Sequence, residues 1–228
     1  MHQSRKIVPA LLTAMLVASC GGANVTVNDP SIPKPLIVPL PLNVAAKYPD
    51  VFDHFVHEEK VMGKKKWSID LGRSNRLLFT QLFDSMFTEF NVVATDEYPK
   101  DLMFDALIEP SIDAFEFSVP SQSQTDEFAV WIRYRIKIFD NEGVQIANWP
   151  IAAYGKSLAG SVGGDHALQR AAILAMRDAA ALIILQMDKA TGISKLSEAH
   201  VNRDMPSSET EDIPLQTTAA EETPDESS

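Results

Sequence analysis

Residues 128 to 138 constrain this chain more than any other stretch. Phe128, Val130, Ile132, Tyr134, Ile136 and Ile138 alternate there with Arg133, Arg135 and Lys137. Successive side chains of a strand point to opposite faces, so the pattern demands a sheet with one dry face and one polar face. Phe104, Ala106, Ile108, Ile112 and Ala114 repeat the alternation against Asp105, Glu109, Ser111 and Asp113. Asp140-Asn141-Glu142-Gly143 follows the second run with residues that tolerate positive φ. This predicts an antiparallel hairpin whose next strand covers roughly Val144 to Tyr154.

A dry sheet face must be covered, and two segments have the period to cover it. From Gly72 or Ser74, the residues Leu77, Leu78, Phe79, Leu82, Phe83, Met86, Phe87 and Phe90 recur at three- and four-residue steps, with Asn91 as the stop. A longer helix begins at Asp165, with Leu168, Ala171, Ala172, Ala175, Ala179, Leu182, Ile183 and Met187 on its inner side and Gly192 beyond its end. Its alanines let a helix lie close against a sheet. Trp67 to Leu71 and Val92 to Ala94 read as short strands. Leu36 to Val44 carries two prolines, which suit an edge strand better than a central one. The expected fold class is α+β: a mainly antiparallel sheet with two helices packed on one face.

The N-terminus is of a different kind. Arg5 and Lys6 precede an apolar run from Ile7 to Ala18 that is too short to span a bilayer, the pattern of an export signal. It ends in Leu16-Val17-Ala18-Ser19-Cys20, which resembles the bacterial lipobox. The resemblance implies cleavage before Cys20 and acylation of that residue, a thioether to diacylglycerol holding the mature chain on a membrane. Gly21 and Gly22 follow without the Asp that in that family retains lipoproteins at the inner membrane, so the outer membrane, periplasmic face, is the expected location. Cys20 is the sole cysteine. An intramolecular disulfide is therefore excluded, and apolar burial alone must hold the fold.

The expected organisation is a signal peptide over 1–19, a flexible tether over 20–35, an α+β domain over 36–196 and a disordered acidic tail over 197–228. That tail holds much of the formal net charge of −11, and the mildly acidic body argues against nucleic-acid binding.

Catalytic signals are weak. His54 and His57, beside Asp53, Glu58 and Glu59, could share a helical face as metal ligands, but the zincin spacing is absent and a solvated loop is the favoured reading. No serine sits in a Gly-x-Ser-x-Gly elbow, and Gly160 to Gly164 fits neither phosphate-binding glycine motif. No cofactor, metal or enzymatic activity is expected. Arg133, Arg135 and Lys137 could meet anionic lipid, yet Asp105, Glu109 and Asp113 at the same spacing can pair with them across strands. Lys64 to Lys66 read as an exposed strand start. Trp131, Phe139 and Trp149 fall on the side opposite the apolar rows. Either the sheet is covered on both sides, or these three form a docking patch.

The helix after Trp67-Ser68-Ile69-Asp70-Leu71-Gly72, the hairpin around Tyr134 to Gly143 and the Ala-Met-Arg-Asp-Ala-Ala segment at 175–180 are together similar to small periplasmic lipoproteins that assist ABC-type transport or envelope assembly. That resemblance implies a non-enzymatic binding or scaffolding module, held to a membrane by lipid and bound to an envelope protein. The alternative is a carrier of lipid or another small ligand that serves a transporter.

Overall fold

The computed structural model describes residues 23–63, 65–94, 104–160, 163–187 and 191–204. Cys20 and the signal segment lie outside the described residues, as does the acidic tail beyond Asp204. The fold is α+β, as the alternation requires. Chain order is β1 (Ala23–Thr26), β2 (Leu40–Lys47), α1 (Asp50–Asp53), β3 (Val56–Val61), β4 (Lys65–Asp70), α2 (Gly72–Met86), β5 (Phe87–Val93), β6 (Ala106–Ser118), α3 (Pro120–Ser123), β7 (Glu127–Asp140), β8 (Gln145–Leu158), α4 (Gly164–Met187) and α5 (Thr191–Asp204). These strands make two sheets, a five-stranded one ordered β5-β2-β6-β7-β8 and a three-stranded one ordered β1-β4-β3.

The meander β6–β7–β8 is antiparallel throughout, and Gly143 takes φ 81° in the tight turn before β8. There the Asp140 carboxylate accepts hydrogen bonds from the amides of Glu142 (3.0 Å) and Val144 (2.8 Å). Its dry face carries Ile132, Tyr134, Ile136, Ile138, Ile151 and Ala153, all buried against α2 and α4. Helix α4 comes to within backbone contact of β8. A Cβ on Gly155 would stand 2.2 Å from the carbonyl oxygen of Ala171 and 2.3 Å from the amide nitrogen of Ala175. Only glycine facing an alanine stripe permits that approach, which leaves no room for a ligand cavity at this point.

Several elements depart from expectation for identifiable reasons. Strand β2 is interior, parallel to both β5 and β6. Its prolines are tolerated because Pro39 precedes the strand and Pro41 falls at the register irregularity between Leu40 and Asn43, where the ladder is interrupted. Helix α2 stops at Met86, and Phe87 to Phe90 belong to β5. The helical period reads onward because Phe87 and Phe90 fold back onto the Phe83 ring, at 6.3 and 6.0 Å between centroids.

A β-bulge between Ile112 and Ala114 in β6 breaks the alternation. It puts Phe115 and Phe117 into the core and turns Ala114 to the open face. Strand β1 lies in the segment expected as a tether and buries Ala23 and Val25 beside β4, and α5 runs from the expected domain, where it buries Ile193, into the first residues of the expected tail.

Beyond β1 the chain stays pinned along α4. Gln169 donates to the carbonyl of Thr26 (2.8 Å), and Arg177 donates to those of Pro30 (2.8 Å) and Ser31 (3.0 Å). Among the described residues, no helix is long and apolar enough to cross a membrane.

Candidate functional site

The helices cover one face of the meander and leave the other open. Its charged rows are mostly closed into pairs. Arg135 donates from Nε to both carboxylate oxygens of Asp113 (3.0 and 2.8 Å) and from Nη1 to Asn148 (3.0 Å). The bulge makes this possible by swinging Asp113 beside a residue it would not otherwise oppose. The Arg135 guanidinium holds the Asp113 carboxyl below the usual carboxylate range. Lys137 lies 3.9 Å from its cross-strand partner Glu109, and Lys156 3.0 Å from Glu127. The expected cross-strand pairing therefore accounts for Arg135 and Lys137. Asp105 accepts from the amide of Asn43 (3.0 Å).

Arg133 is different. Its register partners are Ala114 and Ala152, two small residues that cannot answer a guanidinium. Among the described residues neither it nor Glu116 makes an ion pair. Both line a shallow groove of ≈ 390 Å³, with Trp131 and Tyr154 at the next register level and the two alanines as its floor. Trp131 and Tyr154 are 44% and 42% exposed, their rings 5.0 Å apart and tilted by 43°. The backbone here is anchored from behind, since the Tyr154 amide donates to Asp178 on α4 (3.0 Å). The groove combines two aromatic faces with one cation and one anion, a set suited to recognition.

Of the three aromatics expected as a patch, one is in the groove. Trp131 is. Trp149 is the cross-strand partner of Ile136 and so lies on the helix-covered face, where its indole N–H donates to Gln186 of α4 (3.1 Å). The sequence assignment slipped because this strand's apolar parity is set by Ile151 and Ala153, with which Trp149 agrees. Phe139 is on the open face but far along β7, packed with Ala45, Phe104 and Leu107 in a small separate cluster. Tyr154, Glu116, Ala114 and Ala152 were missed. Tyr154 shares the exposed parity of its strand, whereas Glu116 and Ala114 reach the open face only through the bulge.

The histidines do not share a helical face. His54 follows α1, and His57 in β3 rests its ring on Phe115 (5.0 Å) and Phe117 (5.9 Å), with Nε2 3.2 Å from Glu59. Among the described residues no group of three or more potential ligands converges on a metal position.

No family model matches the sequence, and no curated protein is detectably similar to it. Solved structures share its outline at low identity. A Xanthomonas campestris protein of family DUF330 is 9% identical over 80% of this chain and 98% of its own, with a TM-score of 0.47. A candidate lipoprotein of Caulobacter crescentus CB15 is 16% identical over 54% of this chain and 84% of its own, at 0.37. A hypothetical protein of Chlamydia trachomatis is 9% identical over 65% and 96%, at 0.40. The structural neighbours thus include a candidate lipoprotein. No residue of the groove is carried over from them.

Proposed function

We propose that this chain is a lipid-anchored, non-enzymatic binding module of the bacterial cell envelope, attached through Cys20 to the periplasmic face of the outer membrane, and that the groove around Trp131 and Arg133 recognises a protein partner. The observation that carries this reading is the open sheet face. Its other arginine and its lysines are neutralised by carboxylates, while among the described residues Arg133 and Glu116 make no ion pair and stand beside two exposed rings. An exposed Trp–Tyr pair over a small-residue floor offers apolar area at low entropic cost, and the charges of Arg133 and Glu116 would fix the partner's register. The sequence at 16–20 supports the anchor, because only a cysteine thiol supplies the thioether to lipid.

A photo-crosslinking side chain at 131 tests the groove in intact cells. A single adduct is expected, absent when the probe stands at Asn148 on the same face and lost on Arg133→Glu. A stoichiometric lipid in the purified protein, with no adduct from 131, would overturn this reading in favour of the carrier. Cys20→Ser is expected to leave an uncleaved, unacylated precursor.

A further inference from the structure

We infer that the β3–β4 hairpin tip is a membrane-docking element that rests on anionic lipid headgroups beside the anchor. This rests on the acylation of Cys20 proposed above and adds an orientation to it. Cys20 is three residues from Ala23, and a chain that short spans about 10 Å at most. Ala23 is not free to move, being 2% exposed and paired in register with Trp67 of β4. Ala23 is the register partner of Trp67, and Lys66 and Lys65 precede Trp67 on β4 toward the hairpin tip, so both fall within the reach of that three-residue link. An acylated Cys20 therefore stays within about 10 Å of Ala23, at the end of the domain that carries Met62 and the lysines.

The tip presents an apolar side chain to solvent: Met62 takes φ 50° beside Gly63 at φ 68°, as the tight hairpin turn requires, and is 62% exposed. Lys60 stands directly across from Lys66, a like-charge pair that destabilises a hairpin in water. Lys66 is offset by Glu58 at 2.9 Å, whereas Lys60 makes no ion pair among the described residues. Lys65 lies over the Trp67 ring (4.3 Å) and 3.5 Å from Asp165 at the start of α4. A layer of anionic headgroups would relieve the Lys60–Lys66 repulsion and receive the methionine side chain at the interface.

The same end of the molecule carries Leu158, 64% exposed. It pairs with Glu127, next to Phe128, whose ring meets Trp67 at 6.1 Å. The opposite end, at the β7–β8 turn, is about 43 Å away along fourteen-residue β7. Val144 is exposed there and serves as the reference point.

Acylated Cys20 has no free thiol, so Met62→Cys and Val144→Cys each create a single labelling site in the full lipidated chain. Each variant would carry an environment-sensitive fluorophore and be reconstituted into phosphatidylcholine vesicles containing phosphatidylglycerol and a headgroup-depth spin-labelled lipid. The probe at 62 is expected to shift to the blue and be quenched, and the probe at 144 to report water. Joint Lys65→Glu and Lys66→Glu substitution is expected to weaken docking at 62 by about fivefold per lysine. Flotation with the vesicles while both probes report water, or with 144 the more quenched, overturns the orientation alone. Unchanged quenching at 62 in the double-glutamate variant overturns the role of the lysines. Loss of flotation with an unacylated N-terminal peptide overturns the anchor and this inference with it.

Discussion

The two faces of the β6–β7–β8 meander are built from the same strands and obey opposite rules. On the covered face the side chains pack into one hydrophobic core. Tyr134 is fully buried and donates to Asn75 of α2 (2.8 Å), and its ring packs on Phe52 and Phe79. On the open face the contacts are ion pairs at partial exposure, worth little each. The difference separates stability from the proposed recognition: the covered face sets whether the chain folds, and side chains on the open face can change at little cost to it.

The largest effect should come from placing volume between α4 and β8. Gly155→Val puts atoms where the backbone of α4 already lies, and is expected to cost at least about 3 kcal/mol, read as a large fall in the urea midpoint or as insoluble protein. Ala152→Val, three residues away on the open face, is expected to stay within about 0.5 kcal/mol of the parent. Equal losses for the two would erase the distinction between the faces.

Next in size is Tyr134→Phe, which leaves the Asn75 carbonyl oxygen buried without its donor and is expected to cost about 1–3 kcal/mol in equilibrium unfolding. The same residue gives the covered face a pH signature. Burial pushes the phenols of Tyr134 and Tyr48 up, the latter to about 12 even though it sits 3.1 Å from the Thr80 hydroxyl. Both phenols are protonated in the folded and unfolded chain below about pH 10, so stability there is unaffected. Above that pH the unfolded chain loses protons that the folded chain retains, and stability falls as pH rises toward 12. Tyr48→Phe should flatten that alkaline limb, which a urea titration at successive pH values would show. An unchanged slope would mean that Tyr48 does not carry it.

Smaller effects belong to the open face. Arg135→Gln removes the Asp113 pair and is expected to lower the urea midpoint only slightly, because the pair is exposed to solvent. The depressed Asp113 carboxyl contributes above its unfolded value, and that contribution is lost as pH falls below about 4, so the variant should differ least from the parent in acid. Trp131→Ala should change stability least of all, because the ring lies 44% exposed on the open face. A Trp131→Ala protein with a much lower melting temperature would show that this ring supports the fold.

The sequence was most legible where burial has a period. The alternation over 128–138 predicts β7 and its polar face, and the alanines from 171 to 179 predict the close helix. It was least legible where a single residue resets the register. The bulge at Asp113 adds one residue to β6, and every side chain beyond it changes face, which moved Phe117 inward and Glu116 outward. Trp149 shows the same limit, since tryptophan is amphipathic and its face is fixed only by the strand it pairs with. Strand β1 escaped notice because four residues are too few to show a period, and its burial depends on a strand more than forty residues later.

Taken alone, the sequence determined that this chain needs a half-dry sheet under two helices, and that its single cysteine stands at the end of an export-like segment. Both are local: period and residue type suffice to state them. Only the tertiary structure decided which charges pair across strands, that Trp131 faces Tyr154 over two alanines, and that Ala23 is held in β1 against Trp67. Those are pairings between distant segments, and their register is set by packing and bulges.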